Sequence, residues 1–363
     1  MYSAEDHLWM GEALRLAEKG INTASPNPRV GCILVKDGKR VGSGWHRRAG
    51  EPHAEVHALR DAGSAAKGAT AYVTLEPCSH FGRTPPCADA LIEAGVARVV
   101  VAMQDPNPRV AGSGIARLRD AGIKVECGLI EAAAHELNAG FVSRMTRGLP
   151  RVTSKIGMSL DGRTALANGE SQWITGADAR LDVQRVRARS CAVMTGINTI
   201  LSDNARLDVR DVECERQPLR VVLDSRLRMD PDARVLQGGG TLIYSSTEDI
   251  DKIARLQGIG VEVAVAPSVA GRLDLPFVLR DLAGRGCNEL LVEAGAALNG
   301  ALLREKLVDE LLLYVAPSLL GDMARGIAAL GEISSLDQRV DLVWKDVRRV
   351  GSDLRISAEV KHV

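Results

Sequence analysis

His53-Ala-Glu-Val-His-Ala-Leu-Arg-Asp-Ala62, followed by Thr70-Ala-Tyr-Val-Thr-Leu-Glu-Pro-Cys78 and then Cys87, decides how this chain is read. Pro52 stands where a proline suits a first helical turn, so residues 54–62 are expected to be helical. Thr70 to Leu75 is β-rich and runs into Glu76-Pro77-Cys78. The loop Ser79 to Pro86 follows, and Cys87 opens a second helical segment reaching Ala94. One imidazole and two thiolates make three ligands suited to Zn²⁺, which leaves a fourth tetrahedral position for water, as catalytic rather than structural sites do. If Cys78 and Cys87 both lie near helix N-termini, the helix dipoles help keep them ionised. Zinc lowers the pKa of its water, and Glu55, two residues from His53, is placed to carry the proton. Zinc deaminases combine H-x-E with P-C-x-x-C. Here eight residues separate the cysteines, which points away from the cytidine and adenosine branches but not from zinc deamination. Two blander readings stand beside it. The zinc could be structural with His57, one turn beyond His53, as fourth ligand, or the cysteines could be buried and the histidine unrelated. The proline, the preceding strand and the turn signals together favour catalysis.

Outward from that core, strand-like and helix-like segments alternate, which argues for an α/β class with largely parallel sheets. Residues 5–19 have helical apolar spacing. Val30 to Val35 meets Asp37-Gly38, a hairpin turn leading into Val41. Strands are expected at 98–102 and 124–127, with a helix between them at 115–121. A short basic turn, Arg147-Gly-Leu-Pro-Arg151, marks a boundary, giving domains of 1–147 and 148–363. In the second, strands are expected at 152–156, 191–195, 220–223, 241–244, 261–265 and 289–292, with a helix at 177–187. Residues 310–316, 346–350 and 354–360 close with an antiparallel pair. Lys plus Arg and Asp plus Glu are 46 each, so a small-molecule substrate fits better than nucleic acid or an anionic membrane. No apolar run suits a signal peptide or a membrane span, and the seven scattered cysteines do not form a disulfide framework. A cytoplasmic protein with reduced thiols is expected.

The second domain lacks G-x-G-x-x-G. It has instead Leu291-Val-Glu-Ala-Gly-Ala-Ala-Leu-Asn-Gly300, a strand entering a small-residue turn and a helix, where backbone N–H groups can approach a phosphate. Such turns also serve packing alone. Polar clusters lie near strand ends at 155–164, 169–175, 195–203 and 207–210, and Ser225-Arg226 ends a strand, a place where α/β sheets bind ligands.

Thr23-Ala-Ser-Pro-Asn-Pro-Arg-Val-Gly-Cys32, Gly44-Trp-His-Arg-Arg-Ala-Gly-Glu-Pro-His-Ala-Glu55 and Leu75-Glu-Pro-Cys-Ser-His-Phe-Gly-Arg-Thr-Pro-Pro-Cys87 closely resemble the bifunctional deaminase–reductase of riboflavin biosynthesis. The resemblance spans nearly the whole chain, and the long loop between the cysteines belongs to that family's pattern. It implies a cytidine-deaminase-like three-layer domain followed by a dihydrofolate-reductase-like domain. It implies Zn²⁺ on His53, Cys78 and Cys87, Glu55 as proton shuttle, and Asn27, His46, His80 and Arg83 around the pyrimidine or ribose phosphate. In the second domain it implies NADPH contacts from Gly157, Trp173, Thr199, Asp203, Ser225 and the turn Gly295, Ala296, Ala297, Leu298, Asn299, Gly300 and Ala301. Substrate contacts are implied for Ser171, Arg187, Leu207, Arg210 and Glu293, with Arg187 and Arg210 as a phosphate clamp. Arg226 is a candidate for the 2′-phosphate of NADPH, and Lys155 and Asp203 are candidates for placing or protonating the sugar. The implied chemistry is deamination of 2,5-diamino-6-ribosylamino-4(3H)-pyrimidinone 5′-phosphate, then NADPH reduction of its ribose to ribitol. A homo-oligomer is expected by analogy.

Two rivals remain at this stage. One is a tRNA or free-nucleoside deaminase with an unrelated appended domain, against which the neutral charge counts. The other is a zinc-stabilised binding module without turnover, in which Glu55 would be dispensable.

Overall fold

A computed structural model describes residues 2–79, 85–108 and 110–362. His80 and Arg83, both expected in the pyrimidine pocket, lie outside the described residues. The chain forms two compact units, Met1–Leu149 and Pro150–Val363.

The first unit runs α1 (Ala4–Glu18), β1 (Gly31–Lys36), β2 (Lys39–Trp45), α2 (Ala54–Ala62), β3 (Thr70–Val73), α3 (Cys87–Glu93), β4 (Arg98–Val101), α4 (Ser113–Asp120), β5 (Lys124–Cys127), α5 (Glu131–Leu137) and α6 (Ala139–Arg147). Its sheet has the order β2-β1-β3-β4-β5. The β1–β2 hairpin turns at Asp37-Gly38, both with positive φ, as the sequence predicts. β3, β4 and β5 run parallel. Glycines show where the helices dock. A Cβ at Gly31 would collide with the Ala13 carbonyl of α1, whereas Cβ atoms at Gly42 and Gly44 would strike the Ala58 and Ala54 carbonyls of α2. Gly44 faces Cys32 across the ladder, and side chains alternate along a strand, so Gly31 and Gly44 look out of opposite faces. α1 and α2 therefore sandwich the sheet, and the expected three-layer arrangement follows. Ile33, Leu34, Val73, Val99, Val100 and Leu118, all fully buried, anchor the core between the layers.

α5 and α6 are absent from the sequence-based expectation. Asn138 between them is buried and bonds both ways with the Arg29 backbone, while the Arg29 guanidinium donates to the carbonyls of Leu137 and Ile21. These bonds fasten the helix pair to the segment carrying Asn27.

The second unit begins with β6 (Arg151–Ser159), β7 (Arg163–Ala165), α7 (Ala177–Arg189), β8 (Ala192–Gly196), α8 (Ile197–Asp203), β9 (Leu219–Leu223), β10 (Thr241–Ser245), α9 (Ile250–Gly258) and β11 (Glu262–Val265). It continues with β12 (Ser268–Val269), β13 (Arg272–Leu273), α10 (Leu275–Gly284), β14 (Glu289–Val292), α11 (Ala296–Arg304), β15 (Glu310–Ala316), β16 (Arg325–Gly326), β17 (Leu342–Val350) and β18 (Asp353–Val360). The main sheet orders as β11-β10-β9-β8-β14-β6-β15-β18-β17. Strands from β11 through β15 are parallel, and β18 and β17 add the expected antiparallel pair. The central strands β8, β9, β10 and β14, apolar and buried on both faces, suit the parallel part. Among the described residues, no helix is long and apolar enough to cross a membrane.

Candidate active sites

In the first unit, residue 53 is the N-cap of α2, in extended backbone with no side-chain cap bond, and Glu55 lies in the first turn. Cys87 is the first residue of α3, but Cys78 lies in the loop after β3 rather than on a helix. Its sulfur nevertheless accepts the Cys87 N–H at 3.3 Å, so it still faces a helix N-terminus. His53 Nδ1 stands 3.6 Å from Cys78 Sγ and 3.3 Å from Cys87 Sγ, and all three ligand atoms lie within 4.8 Å of one another. His57, the alternative fourth ligand, is not part of that cluster.

A cavity of about 660 Å³ opens over this cluster, lined by His53, Glu55 and Cys78 together with Asn27 and His46. Asn27 Nδ2 lies 3.1 Å from His46 Nε2, and the His46 and His53 rings meet edge to face at 5.3 Å. Burial pushes His46 down to about 4. Glu55 is buried at 3% exposure, and one of its carboxylate oxygens has no hydrogen-bond partner. Burial pushes its pKa up to about 7. The hydrogen bond from Cys87 holds Cys78 down at about 4, while the same bond and burial push Cys87 up. A buried carboxyl near neutrality is what general acid–base work on a ring requires. The cavity also takes in Glu51, Asp105, Asn107, Phe141, Arg144 and Met145, none of which the sequence reading selected. Asp105-Pro-Asn-Pro, in the loop that follows β4, was the available signal.

In the second unit, β14 lies between β8 and β6, which brings Glu293 to Lys155 and Arg187. Lys155 Nζ is 3.4 Å from Glu293, and Arg187 grips the same carboxylate at 2.5 and 3.0 Å. Burial opposes the charge on Glu293, but Arg187 and Lys155 outweigh it and hold the carboxyl at about 2. Arg187 is committed to Glu293 and the Asp208 carbonyl, while the exposed Arg210 pairs with the Asp208 carboxylate. Gly157 faces Thr175, Ser171 is half-buried, and Trp173 is 67% exposed with the Arg180 guanidinium over its ring. Thr199 lies within α8, but Asp203 closes that helix, and among the described residues no hydrogen bond or ion pair joins it to Lys155. Ser225 and the exposed Arg226 follow β9. The Leu207 side chain is in the core, with φ at 58°.

The 295–301 turn divides in two. Gly295 is the N-cap of α11 without a side-chain cap, so the first N–H groups of α11 have no side-chain acceptor. Asn299 instead turns inward to Ser154 and the carbonyls of Ala294 and Ile327, and Gly300 is pressed against Ala329. Leu298 approaches Gly196, the N-cap of α8.

Residues 150–356 match the family described as the RibD C-terminal domain, and residues 3–103 match the cytidine and deoxycytidylate deaminase zinc-binding region. The riboflavin biosynthesis protein RibD of Escherichia coli is 50% identical, covering 96% of this chain and 98% of that protein. Its Haemophilus influenzae counterpart is 46% identical over 100% and 99%. Among solved structures, Acinetobacter baumannii RibD superposes with a TM-score of 0.92 at 44% identity, covering 99% of each chain. The Thermotoga maritima diaminohydroxyphosphoribosylaminopyrimidine deaminase/5-amino-6-(5-phosphoribosylamino)uracil reductase gives 0.87 at 31%, over 98% of this chain and 99% of that one.

Proposed function

The chain belongs to the RibD family of riboflavin-biosynthesis deaminase–reductases, and from that premise we propose how its two sites divide the work. The first unit is a zinc-dependent deaminase of 2,5-diamino-6-ribosylamino-4(3H)-pyrimidinone 5′-phosphate. The second is an NADPH-dependent reductase that turns the ribosyl group of the product into a ribityl chain.

One observation carries the deaminase assignment. Glu55 is buried with an unpartnered oxygen beside one imidazole and two sulfurs gathered within 4.8 Å. That donor set fits Zn²⁺ held by His53, Cys78 and Cys87. When bound, zinc supplies the Lewis acidity that makes water a nucleophile near neutral pH. Glu55 would take one proton from the attacking water and pass it to the ring nitrogen. It would then take the second from the hydroxyl formed at the reacting carbon and pass it to the amine, which leaves as ammonia. Its apolar setting suits this exchange, since a carboxyl near neutrality gives and takes protons with equal ease. Asn27 and His46, the latter edge to face with His53, orient the pyrimidine, and His80 and Arg83 are taken as further substrate contacts.

NADPH fits the mouth of the second sheet, where the uncapped start of α11 at Gly295, Ala296 and Ala297 offers N–H groups to phosphates. Leu298 and Ala301 belong to the same wall, with Asn299 and Gly300 holding it from behind. The cofactor supplies the hydride. Gly157, Trp173, Thr199, Asp203 and Ser225 shape its cleft, with Arg226 beside the 2′-phosphate. Lys155 is the polar group on the sugar, oriented by Glu293. Ser171, Leu207 and Arg210 border the ribotide, and Arg187 acts through Glu293. This reading also takes the chain as cytoplasmic, which its seven free cysteines suit, and as a homo-oligomer, which sedimentation would test.

The deciding experiment supplies the diaminopyrimidine ribotide and follows ammonia release and NADPH consumption. The unaltered chain should show both. Glu55→Gln should keep its zinc, release no ammonia, and consume NADPH only with pre-deaminated substrate. Ammonia release by that variant at an undiminished rate would remove Glu55 from the chemistry.

A further inference from the structure

Glu76 stands between the strand that leads to the zinc ligands and Cys78 itself, buried at 3% exposure. Its carboxylate is saturated by backbone donors. One oxygen accepts the N–H groups of Asp105 at 3.1 Å and Gly112 at 2.9 Å. The other accepts those of Gly114 at 2.8 Å and Ile115 at 3.1 Å. Gly112, Gly114 and Ile115 form the start of α4, whose unpaired N–H groups need an acceptor. The Asp105 bond is of another kind, because residue 105 belongs to the loop between β4 and α4 and lines the cavity over the zinc ligands. From there the support passes on. The Asp105 carboxylate accepts the Asn107 N–H at 2.8 Å, and Asn107 also lines the cavity.

We infer that Glu76 is a positioning residue for the deamination reaction, clamping the backbone at residues 105 and 112 to the zinc-bearing segment so that Asp105 and Asn107 stand at a fixed distance from the reacting ring. A carboxylate is the side chain that can do this, since it offers two acceptor oxygens and no donor. The junction is tight as well as bonded. A Cβ at Gly114 would collide with the Pro77 carbonyl oxygen, and Ser79 and Ser113 meet hydroxyl to hydroxyl at 2.6 Å. Misplacing a substrate-facing loop by about an ångström can cost on the order of a hundredfold. The inference rests on the deaminase reading of this cavity, though the clamp itself can be tested apart from it.

Two variants disturb the junction from opposite sides. Glu76→Gln sets an amide N–H₂ against two backbone donors, and Gly114→Ala drives α4 off Pro77. Each is compared with the unaltered chain for zinc content, for hydrogen exchange over residues 104–116, and for KM and kcat in deamination of the ribotide. Both variants should keep full zinc and exchange faster over that segment. KM should rise on the order of tenfold to a hundredfold while kcat moves by less than about threefold. Unchanged exchange with unchanged KM would overturn the inference. So would loss of zinc with kcat falling as far as kcat/KM, which would make Glu76 a support of the metal loop alone. If the unaltered chain releases no ammonia from the ribotide, the deaminase reading falls, and the exchange data still decide whether Glu76 holds the loop.

Discussion

A buried charge is tolerated when its partners outweigh the cost of leaving water, and Glu293 shows the balance. Its ordinary carboxyl would titrate near 4.3, yet Arg187 and Lys155 hold it at about 2 against the effect of burial. The folded pKa is depressed, so the stabilisation is complete above the unfolded value and fades as pH falls from about 4.5 toward 2. Urea midpoints of the unaltered chain should therefore drop more steeply across that window than those of Glu293→Gln, and parallel curves would contradict the account. Arg187→Ala leaves that carboxylate with Lys155 alone and should cost about 3 kcal/mol in urea unfolding at pH 7. His53, Cys78, Cys87 and Glu55 are readable from sequence because zinc chemistry restricts residue type so sharply. Asp105, Asn107 and Glu76 are not, since Asp-Pro-Asn-Pro resembles any polar turn and nothing local marks a glutamate that serves backbone groups 29 and 38 residues away. Asn299 shows the opposite failure, a residue of the cofactor turn whose side chain faces the interior.

At the level of elements, close approach matters more than propensity. α2 lies against β2 because Gly42 and Gly44 leave room for its backbone. Gly44→Ala would push on the Ala54 carbonyl, next to His53 and Glu55, so strain there should reach the metal ligands first. The expected result is a loss of about 1–3 kcal/mol in stability, with zinc surrendered at lower chelator concentration than by the unaltered chain. Retained zinc affinity would mean that α2 moves as a unit with its ligands. Most strands and helices are legible from apolar runs and turn residues, including the Asp37-Gly38 hairpin and the closing antiparallel pair. α5 and α6 are not, because their identity depends on Asn138 and Arg29, more than a hundred residues apart in sequence. That omission concealed the wall carrying Phe141, Arg144 and Met145.

Across the whole molecule, each candidate site draws its described residues from one unit, so the two chemistries should part cleanly. Chelating the zinc should abolish ammonia release and leave NADPH consumption with pre-deaminated substrate intact. Simultaneous loss of both would show that the metal also supports the second unit. The strand order of that unit carries a consequence for biosynthesis. Val152 of β6 pairs with Leu290 of β14, a separation of 290 − 152 = 138 residues. At ribosomal rates of about 5–20 residues per second, β6 waits roughly 7 to 28 seconds for its neighbour, long after the first unit's strands have emerged. During that interval a nascent polypeptide offers the unpaired backbone edge of β6 to whatever is nearby. A chaperone that shields such edges should therefore raise the yield of the intact chain, and a ribosome stalled before residue 289 should leave β6 open to protease.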